Sequence, residues 1–282
     1  MLALRELQKL ELEIAKEIKR ICDENGIDYF IIGGTLLGAV RHEGFIPWDD
    51  DMDIGMTIEN YNRFLEIATR QLDSRFFLQT NISDPNYYNV FAKVRLNRTH
   101  MLEKVTENLD IHNGIFVDIF PYDAASERVA HSKAYMTMLQ LLGKTSLLKH
   151  GYNLNGITEK RTSRIVNLML KYLPVPVKQI DKILYARFQS HDNKHKQEYY
   201  IERDGMFKGN FVFSKKYFDT LEELSFEGIK FKAPTDYVEY LRDAYGEFMK
   251  LPPADEREKG HSVRDVILDN SFENYIHEEV TG

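Results

Sequence analysis

The run Trp48-Asp49-Asp50-Asp51-Met52-Asp53-Ile54-Gly55 places four carboxylates within five positions. Read as a β-strand, in which alternate side chains share a face, it projects Asp51 and Asp53 together, with Asp49 at the strand's start on the same side. Carboxylates held that close repel one another and are tolerated where a divalent cation neutralises them; hard Mg²⁺ or Mn²⁺ takes such oxygen ligands. The chemistry implied is metal-assisted work on phosphates. Three other accounts compete. An EF-hand loop counted from Asp49 needs Gly at its sixth position and Glu at its twelfth, and these are Ile54 and Asn60. A solvated acidic turn needs polar flanks, whereas Ile46, Trp48, Met52, Ile54 and Met56 alternate with the acids as in a half-buried strand. A helix N-terminus welcomes acids, but the period here is that of a strand.

The residues upstream fit the same chemistry. Asp28-Tyr29-Phe30-Ile31-Ile32 reads as a buried strand, and Gly33-Gly34-Thr35 as a tight turn opening a short helix from Leu36 to Arg41. The N–H groups of such a turn, the helix N-terminus and the Thr35 hydroxyl suit a phosphate held opposite the metal. Lys93 and Arg95, two apart on a strand, share a face: they would clamp a diphosphate and neutralise the leaving nucleotide, or else pair with the acidic strand. Arg41 and His42 lie close enough to the acidic run to approach substrate, and equally suit a helix cap.

Taken together, Gly33-Gly34-Thr35-Leu36-Leu37-Gly38-Ala39-Val40-Arg41-His42 and Pro47-Trp48-Asp49-Asp50-Asp51-Met52-Asp53-Ile54-Gly55 resemble the LicD family of phosphotransferases, which includes bacterial phosphocholine transferases and fukutin-type ribitol-phosphate transferases. The likeness continues through Lys93-Val94-Arg95-Leu96-Asn97, Gly114-Ile115-Phe116-Val117-Asp118-Ile119-Phe120-Pro121, Tyr240-Leu241, Tyr245-Gly246, Pro252-Pro253 and His261, whose role is undefined. The resemblance implies a nucleotidyltransferase-like fold in which a Gly-rich turn and an Asp-x-Asp strand face a third acid on a neighbouring strand, and Asp118 matches that acid. Asp118 lies in an apolar run, where an unpaired carboxylate is costly; a metal removes that cost, as would a hydrogen bond on an edge strand. Asp123, just after Pro121-Tyr122, reads as a turn residue.

By the same resemblance the reaction is transfer of phosphocholine from CDP-choline to a hydroxyl of a lipid-linked cell-envelope glycan of teichoic acid or lipopolysaccharide type, releasing CMP. Asp51, Asp53 and Asp118, with Asp49, would hold Mg²⁺ or Mn²⁺; Asp118 is alternatively a general base. Ribitol, glycerol or sugar phosphate donors present the same diphosphate. A nucleotidyltransferase releasing pyrophosphate from an NTP would use the same acids, and a non-catalytic membrane or polyanion-binding module would consume no nucleotide.

The elements that position these residues alternate between helix and strand. Leu7, Leu10, Ile14, Ile18 and Ile21 recur at helical spacing, and Asn25-Gly26 stops that helix. A second amphipathic helix runs through Tyr61, Phe64, Leu65, Ala68 and Leu72, and Phe76 to Gln79, Asn89 to Arg95 and Ile115 to Phe120 read as strands. The expected class is α/β (α+β), a nucleotidyltransferase-like mixed sheet flanked by helices. Hydrophobic residues at 43% and charged residues at 29% are those of a globular chain rather than a disordered one. No apolar run is long enough to span a bilayer and the charged first helix is unlike a signal peptide, so a cytoplasmic protein is expected. The single Cys22, on an apolar helix face, is expected as a packed thiol.

Charge divides the chain further. Residues 128–196 hold thirteen Lys or Arg against three Asp or Glu, an excess of +10 in a protein of net charge −7. The segment reads as helical, with Met136, Leu139, Gln140 and Gly143 on one face, Ile165, Leu168, Met169 and Tyr172 on another, and a break at Pro174-Val175-Pro176. Its charge suits peripheral contact with an anionic membrane or a polyanionic acceptor, or is simply solvated; overall acidity argues against nucleic acid. His131, His150, His191 and His195, in this segment, read as surface residues. The division expected is 1–125, a catalytic core with its N-terminal helix; 126–197, a basic helical insertion; and 198–282, completing the catalytic domain. Tyr87-Tyr88, Tyr199-Tyr200, Phe211 and Phe213 are aromatic pairs without an assigned role.

Overall fold

A computed structural model describes residues 4–157, 161–189, 196–202, 212–253, 257 and 263–268. The chain opens with helix α1 (Leu4–Asn25), whose Leu7, Leu10, Ile14, Ile18 and Ile21 form one buried stripe, as their spacing requires. Strand β1 (Phe30–Ile31), helix α2 (Gly33–His42), strand β2 (Asp53–Thr57) and helix α3 (Ile58–Gln71) follow, then strands β3 (Phe76–Gln79), β4 (Ala92–Leu96), β5 (Thr99–Glu103) and β6 (Phe116–Ser126). A helical stretch, α4 (Glu127–Ala130), α5 (Lys133–Lys149), α6 (Arg161–Lys171) and α7 (Val177–Gln189), leads to β7 (Gln197–Glu202) and β8 (Val212–Ser214). The hairpin β9 (Leu221–Phe226) and β10 (Ile229–Pro234), helix α8 (Tyr237–Tyr245) and strand β11 (Val263–Leu268) complete the order.

Seven strands make the main sheet, in the order β1-β2-β6-β4-β3, with β7 continuing beside the second half of β6 and β8 beside β7. Among the described strands only the β2–β6 pairing is parallel; the sheet is therefore mixed, and helices flank it in an α+β arrangement of nucleotidyltransferase-like kind. Strand β6 is its centre. It pairs with β4 as far as Ile119 and with β7 from Tyr122 onward, and Pro121, which has no N–H to donate, falls where one neighbour gives way to the other. Asp123 is accordingly a strand residue opposite Ile201, not the turn residue its Pro-Tyr context suggests. Asp118 likewise sits on a central strand rather than an edge.

The acidic run differs from a continuous strand. Ladder pairing begins only at Asp53; Asp49, Asp50 and Asp51 form the irregular approach to it, entered by a turn in which the Asp49 N–H donates to the Ile46 carbonyl. Met52, Ile54 and Met56 are fully buried, so the alternation of apolar side chains holds even where the hydrogen-bonded ladder does not. Helix α2 begins at Gly33 itself, with the Leu36 N–H donating to the Ile32 carbonyl, so the expected Gly-Gly turn is the helix's own first turn.

Candidate active site

Four side chains line up across the sheet. Register pairs Asp53 on β2 with Asp118 on β6, Asp118 with Lys93 on β4, and Lys93 with Gln79 on β3. Directly paired residues point to one face and neighbouring strands lie about 4.8 Å apart, so the two acids are neighbours by construction. Lys93 Nζ stands 2.8 Å from Asp118 Oδ1 and 3.8 Å from Glu103 Oε1. Lys93 is buried, and its ammonium lies over the Phe116 ring. Burial pushes the Asp53 carboxyl well above the usual range, reinforced by Asp51, Asp118, Glu202 and Asp49. Burial also raises Asp118, and Lys93 opposes that shift.

The glycines set how closely helix α2 approaches this row. Gly33 has φ +55°, in the left-handed region, and a methyl group there would lie 3.2 Å from Asp53 Oδ2 and 3.8 Å from the Tyr245 hydroxyl. A methyl group on Gly34 would lie 2.6 Å from Asp49 Oδ2, closer than carbon and oxygen tolerate. The Thr35 hydroxyl accepts the Asp53 N–H at 2.8 Å, tying the first turn of α2 to the start of β2, and the Gly33 N–H donates to the Tyr240 hydroxyl at 3.3 Å. Behind it, Tyr122 donates to the buried Glu202 carboxylate. Carboxylate oxygens of Asp49, Asp50 and Asp51 all lie within 4.8 Å of one another.

The expected residues therefore divide by position. Gly33, Gly34, Thr35, Asp49, Asp51, Asp53, Asp118 and Lys93 gather where α2 meets β2 and β6. Arg95 is fully buried one step away, donating to Gln79 Oε1 at 2.5 Å and the Gly114 carbonyl at 2.6 Å and pairing with Glu103 at 3.4 Å. Those contacts brace β4, β3 and β5 against one another. Arg41 donates to His42 Nε2 at 3.0 Å and to the Phe248 carbonyl at 3.0 Å, and His42 meets Trp48 edge-on, forming a rim beside Asp49. His261 lies outside the described residues, as do His191, His195 and Phe211. His150 departs from its surface reading: its ring stacks on Tyr88 and its Nε2 lies 2.9 Å from Asp181 Oδ2. The sequence gives no site role to Asp50, Glu11 or Glu202, and it names Tyr240 and Tyr245 only as part of the family likeness, without a role. The tyrosines and Glu202 are far from the acidic run in sequence and carry no local signal; Asp50 is passed over by any strict two-residue period.

Five clustered acids, with the Lys93 ammonium against Asp118 and the Arg41 guanidinium near Asp49, form an oxygen donor set that suits a divalent cation. Residues 26–150 match the family described as LicD/FKTN/FKRP, nucleotidyltransferase domain. Over that stretch the chain carries a LicD-type nucleotidyltransferase domain. It is 27% identical to the lipopolysaccharide cholinephosphotransferase LicD of Haemophilus influenzae, in an alignment covering 95% of this chain and 98% of that protein. It is also 27% identical, over 39% of its length, to 20% of the mouse ribitol 5-phosphate transferase FKRP. An uncharacterized Rickettsia prowazekii protein matches 30% of the chain at 40% identity. The acids, the Gly33-Gly34 turn and Lys93 all fall inside the LicD stretch, whereas Tyr240, Tyr245 and Glu202 are brought to it from the C-terminal third.

Proposed function

We propose that this LicD-family enzyme transfers phosphocholine from CDP-choline to a hydroxyl of a lipid-linked cell-envelope glycan, releasing CMP. The observation that carries the reading is the Asp53–Asp118–Lys93 row with Gly33 and Gly34 packed against its acids. The likeness to a cholinephosphotransferase over nearly both full lengths favours choline as the transferred group. Asp51, Asp53 and Asp118, with Asp49, would hold Mg²⁺ or Mn²⁺, which when bound supplies Lewis-acid neutralisation of the donor diphosphate.

The protein's own groups do the rest. Gly33 and Gly34, lacking a Cβ, let the Asp53 and Asp49 carboxylates stand against the α2 N-terminus, whose N–H groups and dipole favour carboxylate and phosphate oxygens alike. Lys93 holds Asp118 in place and offsets part of its charge. One bond forms, from the acceptor hydroxyl oxygen to the choline-bearing phosphorus, and one breaks, from that phosphorus to the oxygen that leaves with CMP. The hydroxyl proton passes to a site carboxylate or to solvent. Incubating the enzyme with choline-labelled CDP-choline and a lipid-linked glycan extract tests the transfer. Label in the glycan supports it, whereas label gained from CDP-ribitol or CDP-glycerol alone moves the reading to those donors. Pyrophosphate release from an NTP moves it to nucleotidyl transfer.

The division into a core over 1–125, a basic helical insertion over 126–197 and a completing part over 198–282 belongs to this proposal. So does peripheral attachment to the inner face of the cell membrane through 128–196. Four apolar residues of α6 face outward, Ile165, Val166 and Leu168 with Met169 at 68%, and Tyr172 just beyond the helix is 71% exposed, while Asn167 turns inward to Asn155 and Leu170 packs against the cluster of Leu147 and Leu148. Lys171, Lys178 and Lys182 are exposed nearby. A solvent-facing apolar stripe flanked by lysines fits an anionic bilayer surface, where the acceptor's lipid would also reside. No described helix is long and apolar enough to cross a membrane.

A further inference from the structure

Glu11 lies on the apolar face of α1, between Leu7, Leu10, Ile14 and Ala15, at 1% exposure. Among the described residues, neither carboxylate oxygen has a hydrogen-bond partner. One turn earlier, the Gln8 side chain donates to the Asp49 carbonyl at 2.9 Å and the Ile46 carbonyl at 3.4 Å, so this face of α1 lies against the start of the acidic run. The helix also packs on β4 and β6, the strands that carry Lys93 and Asp118. The charges acting most strongly on Glu11 are those of Asp51, Asp50, Asp49 and Asp118, all negative, and they add to burial in raising its carboxyl.

The described residues satisfy this side chain in neither protonation state. Ionised, it is a buried charge beside other negative charges, with no donor. Protonated, its hydroxyl has no acceptor among the described residues, and an unmet buried donor is costly. An apolar side chain of the same length would complete the α1 stripe at no such cost. A divalent cation among the aspartates would resolve the conflict, since it attracts every carboxylate there at once. We propose that Glu11 is a further acidic arm of the cation site, closing it from the α1 side, with its carboxylate facing the bound cation directly or through one water. The assignment rests on the reading that the aspartates hold a cation. It extends the site beyond residues 26–150, the stretch matched by the family, and makes α1 part of the catalytic machinery rather than a cover for the sheet.

Titration of the full chain with Mn²⁺, followed by electron paramagnetic resonance, tests this in wild type and Glu11→Gln. The variant should bind Mn²⁺ about 10- to 100-fold more weakly, while its thermal midpoint without metal stays equal to wild type or rises, because a buried acid has been removed. A folded Glu11→Gln protein that binds Mn²⁺ as tightly as wild type overturns the proposal and leaves the aspartate site standing. Absence of Mn²⁺ binding by wild type overturns both. Should the variant fail to fold, the Mn²⁺ anomalous signal in wild-type crystals decides: a Glu11 oxygen at bonding distance, about 2.1 Å, or one shared water away supports the assignment, and protein atoms standing between Glu11 and the ion refute it.

Discussion

Asp53 is where charge, packing and chain direction meet, because its amide is held by Thr35 and its carboxylate sits under Gly33 and beside Asp118. Asp53→Asn keeps the shape and removes one charge from a crowded cluster. Turnover should fall by at least about 100-fold, of the order lost when one charge-stabilising group is removed from a site, while the thermal midpoint without metal holds or rises. Gly34→Ala is a subtler perturbation, since the added methyl group would displace Asp49 Oδ2. Its Mn²⁺ affinity should drop while its far-ultraviolet circular dichroism stays that of wild type, and unchanged affinity would remove Asp49 from the site. Glu202 answers to pH. Burial raises its carboxyl from 4.5 to about 7 against the opposing Tyr122 hydrogen bond. The folded state thus holds this proton more tightly than the unfolded one, and the resulting stabilisation is full below about pH 4.5 and lost as pH rises through about 7. Urea melts should show Glu202→Gln removing up to about 3 kcal/mol of decline across that window. At this scale Asp51, Asp53 and Gly33-Gly34 were legible because adjacent residues carry the signal. Glu11 was not, since a single Glu in an amphipathic helix looks solvated until the helix's packed face is known.

Elements were legible where period and punctuation agreed. The stripe of α1, the helix α3 and the strands β3, β4 and β6 follow from spacing alone, and the fully buried Cys22 is the packed thiol that its place on α1 predicts. Alternating apolar residues predict a strand over the whole acidic run; the structure keeps that alternation but begins pairing at Asp53, since mutual repulsion of Asp49, Asp50 and Asp51 gives a regular ladder nothing to gain there. Helix α6 shows the opposite case. Its apolar stripe resembles a core face by sequence, yet only the structure reveals that Asn167 faces inward and Met169 outward. If that face meets anionic lipid, Met169→Glu should abolish flotation with phosphatidylglycerol vesicles and leave CMP release from a soluble acceptor analogue unchanged. A loss of dimer rather than of lipid binding, read by light scattering, would assign the face to self-association instead.

Across the whole molecule, the site is assembled from α2, β2, β4 and β6, with β7 and α8 supplying Glu202, Tyr240 and Tyr245 from much later in the chain. Such long-range closure leaves no trace in local spacing, which is why Tyr240 and Tyr245 stand in the family likeness without a role while the sheet that receives them is expected. It also implies that cation binding stabilises the entire fold: a metal at about 100 times its dissociation constant should add about 2.7 kcal/mol, seen as a rise in thermal midpoint that chelation reverses and Asp53→Asn lacks. The charge division, with a basic helical stretch attached to an acidic remainder, suits an enzyme that holds a divalent cation at one region and meets polyanions at another. The central claim is that these acids turn over a CDP-linked donor. Acceptor-dependent release of CMP from CDP-choline in Mg²⁺ is its most direct measurement, made on wild type beside Asp53→Asn. Release should require both Mg²⁺ and acceptor and disappear in the variant; equal release by Asp53→Asn, or release that survives chelation of all divalent metal, would rule out catalysis by these acids.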